Sequence, residues 1–198
     1  MGQKQPIWHA DALECVRSLR NGGVILHATD TVWGLAADAC NADAVSRIFS
    51  LKQRALSETL LMLVDSEGML AHILPNLPDA AWELLEVSDR PVTLVGQLNP
   101  QCRFDLASGL VRSDGSVAVR WVQDPYLAFM GQGLGRPLAS TSANLSGEPT
   151  PVGFKQVSTS VVQGVDYVGS YKQNEPSSHA PSMLVHFDEQ GRIQILRS

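Results

Sequence analysis

Two segments combine residue types at spacings that suit anion chemistry. Lys52-Gln53-Arg54 sets two long cations two residues apart, able to converge on one polyanion where the backbone is extended or turning. A helix C-terminus also favours cations, so dipole complementarity is the plainer explanation of the same pair. The stretch Pro137 to Gly147 strings Ser140-Thr141-Ser142-Ala143-Asn144-Leu145-Ser146 directly after a short apolar run. Small side chains there let backbone N–H groups reach a phosphate, and the hydroxyl and amide groups add donors. A polar turn or helix cap is the alternative, but the density of such groups exceeds what a turn needs.

Other candidates are weaker singly. Thr29-Asp30-Thr31 follows an apolar run and suits a small polar ligand or ordinary turn chemistry. Arg120 ends Ser116-Val117-Ala118-Val119, where a cation facing a cleft holds a carboxylate in a fork; an exposed strand-end arginine is the commoner case. No G-x-x-x-x-G-K-[ST] motif is present, and Gly131-x-Gly133-x-Gly135 follows a helical pattern, reading as a helix stop and loop. The five histidines show no metal-ligand spacing, so no metal site is expected.

The elements that must position these residues follow from periodicity. Helices are expected over 10–20, from an Asn41 cap to Lys52, over 69–74, over 80–87 and from Pro125 onward. Strands are expected over 23–28, 60–64, 92–95 and 117–120, with a closing hairpin over 183–187 and 192–196. Helices alternating with strands predict an α/β fold: a twisted, mostly parallel or mixed sheet with flanking helices. Neither a repeat nor a linker divides the 198 residues, so one domain over 1–198 is expected, its core over about 10–198.

Composition limits the function classes. The net charge of −5 predicts no global attraction to nucleic acid or an anionic membrane. Three scattered cysteines, no apolar leader and no apolar run near ~20 residues point to a cytoplasmic protein without membrane association.

Taken in order, Thr29-Asp30-Thr31-Val32-Trp33-Gly34-Leu35, Lys52-Gln53-Arg54, Val117-Ala118-Val119-Arg120 and Ser140 to Gly147 resemble the YrdC-like threonylcarbamoyl-AMP synthase family, in its short single-domain form. The resemblance runs from about residue 10 to the C-terminus and implies a sheet around a large cleft. It implies a nucleotidyltransferase that makes threonylcarbamoyl-AMP and pyrophosphate from L-threonine, bicarbonate and ATP, with Mg²⁺ carried on ATP, for tRNA threonylcarbamoyladenosine modification. On the same resemblance Lys52 and Arg54 are the catalytic cations, and Ser116, Ser140, Ser142, Asn144 and Arg197 join them around ATP. Thr31, Arg120 and Ser182 take threonine. Direct tRNA or RNA contact and downstream tRNA-modification transferases are the partners implied.

Relatives usually carry Pro at Ala28 and Ala55, Lys at Glu58, Gly at Arg90 and His at Asp124. Glu58 bears most on the chemistry, since a carboxylate four residues after Arg54 repels a polyphosphate unless it turns away or pairs with Arg54. Two other functions stay open at this level: a divergent paralogue acting on another acyl- or carbamoyl-nucleotide, and a non-catalytic tRNA or double-stranded-RNA-binding module using Arg47, Lys52 and Arg54.

Overall fold

The computed structural model describes residues 5–55, 58–175, 181–188 and 192–197. Helix α1 (His9–Arg20) leads into β1 (Ile25–His27) and β2 (Gly34–Asp38), then α2 (Ala42–Lys52) and β3 (Leu61–Val64). Helices α3 (Glu67–Ile73) and α4 (Asp79–Val87) precede β4 (Val92–Gln97) and β5 (Ser116–Trp121). After them come α5 (Pro125–Leu134), β6 (Leu138–Ser142), α6 (Thr159–Gly164), β7 (Tyr167–Val168), β8 (Met183–Phe187) and β9 (Ile193–Arg197).

The nine strands among the described residues form one sheet in the order β7-β1-β2-β6-β3-β5-β4-β8-β9. The sheet is mixed. Among the described residues β1/β7, β3/β5 and β4/β8 run parallel and the other five pairings are antiparallel, so of the two expected arrangements, mostly parallel or mixed, the sheet takes the mixed one. Strand β6, which arrives between β2 and β3, supplies two of the antiparallel pairings.

The helices cover both faces. On one, Ala12, Cys15, Val16 and Leu19 of α1 meet Tyr126, Leu127, Met130 and Leu134 of α5 over Ile25, Ala36, Leu63 and Leu138. On the other, α2, α3, α4 and α6 bury Leu26, Leu35, Met62 and Val119 together with Trp33. Burying a side chain such as Leu19 in this way stabilises the fold by about 1.5–3 kcal/mol.

Local chemistry sets the boundaries. The Asn41 side chain accepts from Ala44 N–H at 3.0 Å and starts α2, and Asp124 accepts from Tyr126 and Leu127 N–H ahead of Pro125 at α5. Gly131 and Gly133 lie inside α5, and only Gly135 stops it, in the left-handed region at φ 72°; the glycine run is thus mostly helix. A Cβ on Gly133 would stand 2.7 Å from Val16 Cγ2, so the glycine lets α5 lie close against α1.

Asp11 fastens the same region. Its buried carboxylate accepts from the Tyr126 and Tyr167 hydroxyls and from Ser170 N–H, each at 2.7 Å, tying α1 to α5 and to the chain after β7. Strand β2 escaped the sequence reading because Gly34-Leu35-Ala36-Ala37-Asp38 is buried on both faces and shows no alternation. Helix α6 escaped because its six residues are too few for a helical stripe.

Candidate active site

The strand register places a cleft of 240 Å³ on the sheet face that carries α1 and α5, where those helices leave β3, β5 and β6 uncovered. Its floor is Leu61, Leu63, Ala118, Arg120, Ser140 and Ser142. Ser140, Thr141 and Ser142 belong to β6, so the hydroxyl-rich segment starts as a strand and becomes a loop only at Ala143. Alternation along β6 then offers Ser140 and Ser142 to one face, and Thr141 reaches the cleft from the other side of the strand.

Arginines surround this floor. Arg54, Arg112, Arg120 and Arg197 all line the cleft, and no Asp or Glu does among the described residues. A chain of net charge −5 therefore gathers four guanidiniums at one cleft, two of them paired with carboxylates just outside the lining, Arg120 with Asp30 and Arg54 with Glu58.

Arg120 is 4% exposed, buried on β5 rather than free at a strand end. Its NH2 donates to Asp30 and its NH1 to Thr31 Oγ1 at 3.2 Å. The β1–β2 turn holds both partners, because Thr29 Oγ1 accepts from Thr31 and Val32 N–H, each at 3.0 Å.

Gln53 ends α2 in the left-handed conformation, φ 52°, and this turn sends Lys52 and Arg54 apart. Arg54 swings into the cleft. Its Nε donates to Glu58 O at 2.7 Å, NH2 to Thr59 O at 3.1 Å and NH1 to Thr141 Oγ1 at 3.4 Å. Glu58 turns back onto it, carboxylate to Nε at 3.3 Å, so the acid and the cleft arginine are paired.

Lys52 goes inward. It is 1% exposed, and its ammonium donates to the carbonyls of Ser142 and, at 2.6 Å, of Asn144, pinning the chain as it leaves β6. Burial, and after it the charge of Arg54, push its pKa down to about 8. Lys52 is absent from the cleft lining, as are Asn144 and Ser116. The Asn144 amide donates to the Leu145 and Glu148 carbonyls, each at 2.9 Å, and its oxygen accepts from Ser142 Oγ. Ser116 is buried, with its N–H on Asp114 at 2.9 Å. The structure thus brings Thr31, Arg54, Arg120, Ser140, Ser142, Ser182 and Arg197 to one cleft and sets Lys52, Asn144 and Ser116 behind its wall.

Ser182 and Arg197 enter from the closing hairpin, Arg197 NH2 donating to Ser182 O at 3.0 Å and Ser182 Oγ lying 2.7 Å from Thr93 Oγ1. Arg112 was missed. It sits in no motif and reaches the cleft because its N–H bonds Ser116 O at 2.8 Å, folding the segment back over β5. An arginine inside Val111-Arg112-Ser113-Asp114-Gly115, a turn-like run before a strand, was the available signal.

The basic stretch Arg47, Lys52, Arg54 does not form an exposed patch. Arg47 pairs with Asp166 at 2.8 Å, Lys52 is buried and Arg54 faces the cleft. Among the described residues no group of three His, Cys, Asp or Glu could hold a metal, and no helix is long and apolar enough to cross a membrane.

Comparison with known proteins gives the family. The Sua5/yciO/yrdC family model, described as telomere recombination, matches residues 17–198. A threonylcarbamoyl-AMP synthase of Pseudoalteromonas translucida is 30% identical, the match covering 80% of this chain and 82% of the relative. One of Vibrio cholerae is 29% identical over 93% of this chain and 95% of its own. The crystal structure of P. abyssi Sua5 complexed with L-threonine superposes at TM-score 0.79 with 25% identity, covering 98% of this chain and 55% of that one. This chain thus spans little more than half of that Sua5. E. coli YciO shares the fold at TM-score 0.77 and 18% identity, with 98% and 91% covered. A match from residue 17 to the last, close relatives along most of their length and a shared sheet make this chain a member of the Sua5/YciO/YrdC family.

Proposed function

We propose that this chain is a threonylcarbamoyl-AMP synthase, forming threonylcarbamoyl-AMP and pyrophosphate from L-threonine, bicarbonate and ATP to supply tRNA threonylcarbamoyladenosine modification. The observation that carries the proposal is the cleft itself: four arginines, the hydroxyls of Ser140, Thr141 and Ser142, and no lining carboxylate among the described residues. Relatives along 80% or more of this chain bear that enzyme's name, and a neighbouring fold was crystallised with L-threonine.

The reaction needs what such a cleft supplies. Attack of a carbamate oxygen on the α-phosphate drives one anion onto another, so fixed cations and aligned donors lower the barrier more than an acid or base would. No nucleophilic side chain is required. Arg120, with Thr31 beside it, takes the threonine carboxylate in exchange for its contact with Asp30, and Arg54, Arg112 and Arg197 surround the phosphates. Ser140, Thr141 and Ser142 add hydroxyl donors from β6. Lys52 acts one step back by fixing the carbonyls of Ser142 and Asn144, so the β6 exit holds its shape. Magnesium would arrive as part of the Mg-ATP substrate, since no lining carboxylate stands among the described residues to hold it.

Purified protein given threonine, bicarbonate and Mg-ATP should release pyrophosphate and form a threonine-containing adenylate. Pyrophosphate release that ignores threonine, or none from folded protein, refutes the proposal. Glu58 on Arg54 favours one alternative, a paralogue acting on a less charged acyl- or carbamoyl-nucleotide. The same assay with other amino acids separates the two.

A further inference from the structure

Two acids, Asp11 and Asp30, are held in opposite ways. Both oxygens of the Asp11 carboxylate accept from tyrosine and serine hydroxyls and from backbone N–H groups, so that acid is locked in place. The Asp30 carboxylate has a single hydrogen-bond partner among the described residues, Arg120 NH2. Its backbone is fixed all the same, since Thr29 Oγ1 accepts from Thr31 and Val32 N–H, each at 3.0 Å, and donates to the Val32 carbonyl at 2.6 Å. The Asp30 side chain is 28% exposed, and Thr29 and Thr31 on either side of it both line the cleft.

Arg120 meets this acid with hydrogen-bonding capacity to spare. NH2 serves Asp30 and NH1 serves Thr31 Oγ1 at 3.2 Å, while Nε has no partner among the described residues. A guanidinium so held gains by exchanging the Asp30 contact for a free carboxylate that uses both oxygens. The exchange leaves the Asp30 carboxylate unpaired at the same spot. An α-amino acid carries its ammonium on the carbon next to its carboxylate, so the group that lets go of Arg120 stands beside that ammonium. The cleft needs such a group. Arg54, Arg112, Arg120 and Arg197 line it and no carboxylate does among the described residues, so an ammonium that finds no acid is repelled by four guanidiniums. Glu58 sits on Arg54, among the groups assigned to the phosphates, which leaves Asp30 as the acid at the threonine end.

We propose that Asp30 recognises the α-ammonium of the amino-acid substrate: the substrate carboxylate takes Arg120 from Asp30, and the released Asp30 carboxylate accepts from the ammonium. The inference rests on the threonine reading above. Two ion pairs then replace one, and neither a cation nor an anion is left desolvated and alone. Only the Asp30 side chain has to turn, because the Thr29 hydroxyl keeps the backbone of the turn in place. Asp30 is therefore a specificity-determining residue for zwitterions: a carboxylate without an ammonium displaces it from Arg120 and gives it nothing in return.

Calorimetric titration of L-threonine and of (R)-3-hydroxybutyrate, which lacks only the ammonium, tests this on the wild type, on Asp30→Asn and on Asp30→Ala, each saturated with α,β-methylene-ATP. The wild type is expected to favour threonine by a factor of about 10 to 100. Asp30→Asn should weaken threonine by a similar factor, yet bind the hydroxybutyrate as well as the wild type does or more tightly, because Arg120 has lost its competitor. Binding of the ATP analogue shows that a variant is folded, and Asp30→Ala carries the test if Asp30→Asn does not fold. Threonine that tightens together with the hydroxybutyrate makes Asp30 a competitor only, and equal weakening of both makes it an organiser of Arg120; either result overturns the ammonium site alone. Equal binding of the two ligands by the wild type does the same. A wild type that binds no threonine overturns the proposed function and this site with it.

Discussion

Replacing Glu58 with Gln should tighten ATP binding. The Glu58 carboxylate lies 3.3 Å from Arg54 Nε, with side-chain exposures of 54% and 22%, so the pair is water-screened on the acid's side. Such a pair contributes only about 0–1 kcal/mol to stability, and its loss leaves the fold nearly unchanged. Arg54 also stays in place, because the backbone carbonyls of Glu58 and Thr59 hold its guanidinium and survive the substitution. A phosphate on Arg54 would sit about 7 Å from the carboxylate, and at an effective dielectric of about 50 the repulsion is about 1 kcal/mol per unit charge. Initial rates of pyrophosphate release against ATP concentration should then show KM for ATP falling about 3- to 10-fold, with kcat little changed. In 1 M salt, where the screening length is about 3 Å, the gain should largely vanish. An unchanged or raised KM at low salt would refute the reasoning and make Glu58 an organiser of Arg54 rather than a competitor for it.

Two further substitutions probe the groups behind the cleft. Lys52→Met leaves the Ser142 and Asn144 carbonyls without their donor and should cost about 2–5 kcal/mol in urea denaturation at pH 7. Because the folded-state pKa of Lys52 is lowered from its ordinary 10.5 to about 8, the folded chain binds fewer protons between those values. The wild type should therefore gain stability relative to the variant as pH rises through that window, and parallel pH profiles would contradict the assignment. Asp11→Asn should cost about 2–4 kcal/mol at pH 7, since the buried acceptor of the Tyr126, Tyr167 and Ser170 donors is halved. Burial raises the Asp11 pKa, but the Ser170 N–H and the Tyr167 and Tyr126 hydroxyls outweigh it and hold it below 3.8. Its contribution is present above that value and lost as pH falls through the folded one, so the variant should show a shallower acid-side decline.

Much of the architecture was legible because it is written in local signals. Asn41 and Pro125 marked helix starts through the donors they satisfy or lack, and the apolar runs over 60–64 and 92–95 marked the strands Leu61–Val64 and Val92–Gln97. Strand β2 carried no such signal, since burial on both faces erases alternation, and the order of nine strands depends on pairings far apart in the chain. Lys52 and Arg54 show the same limit within the site. Sequence supplied two cations two residues apart, but whether they converge depends on the left-handed turn at Gln53.

The sequence by itself determined the residue types on which the chemistry rests: the hydroxyls of Ser140 to Ser142, the guanidiniums of Arg54, Arg120 and Arg197, and the motif order that marks the family. Tertiary structure alone decided which of them share a cleft. It buried Lys52 under the β6 exit, recruited Arg112 from a motif-free turn and seated Glu58 on Arg54. The reason is physical. A side chain's charge and hydrogen-bonding capacity are fixed by its identity, whereas its solvation and its partners are fixed by packing, and those decide whether a cation grips a ligand or supports the backbone.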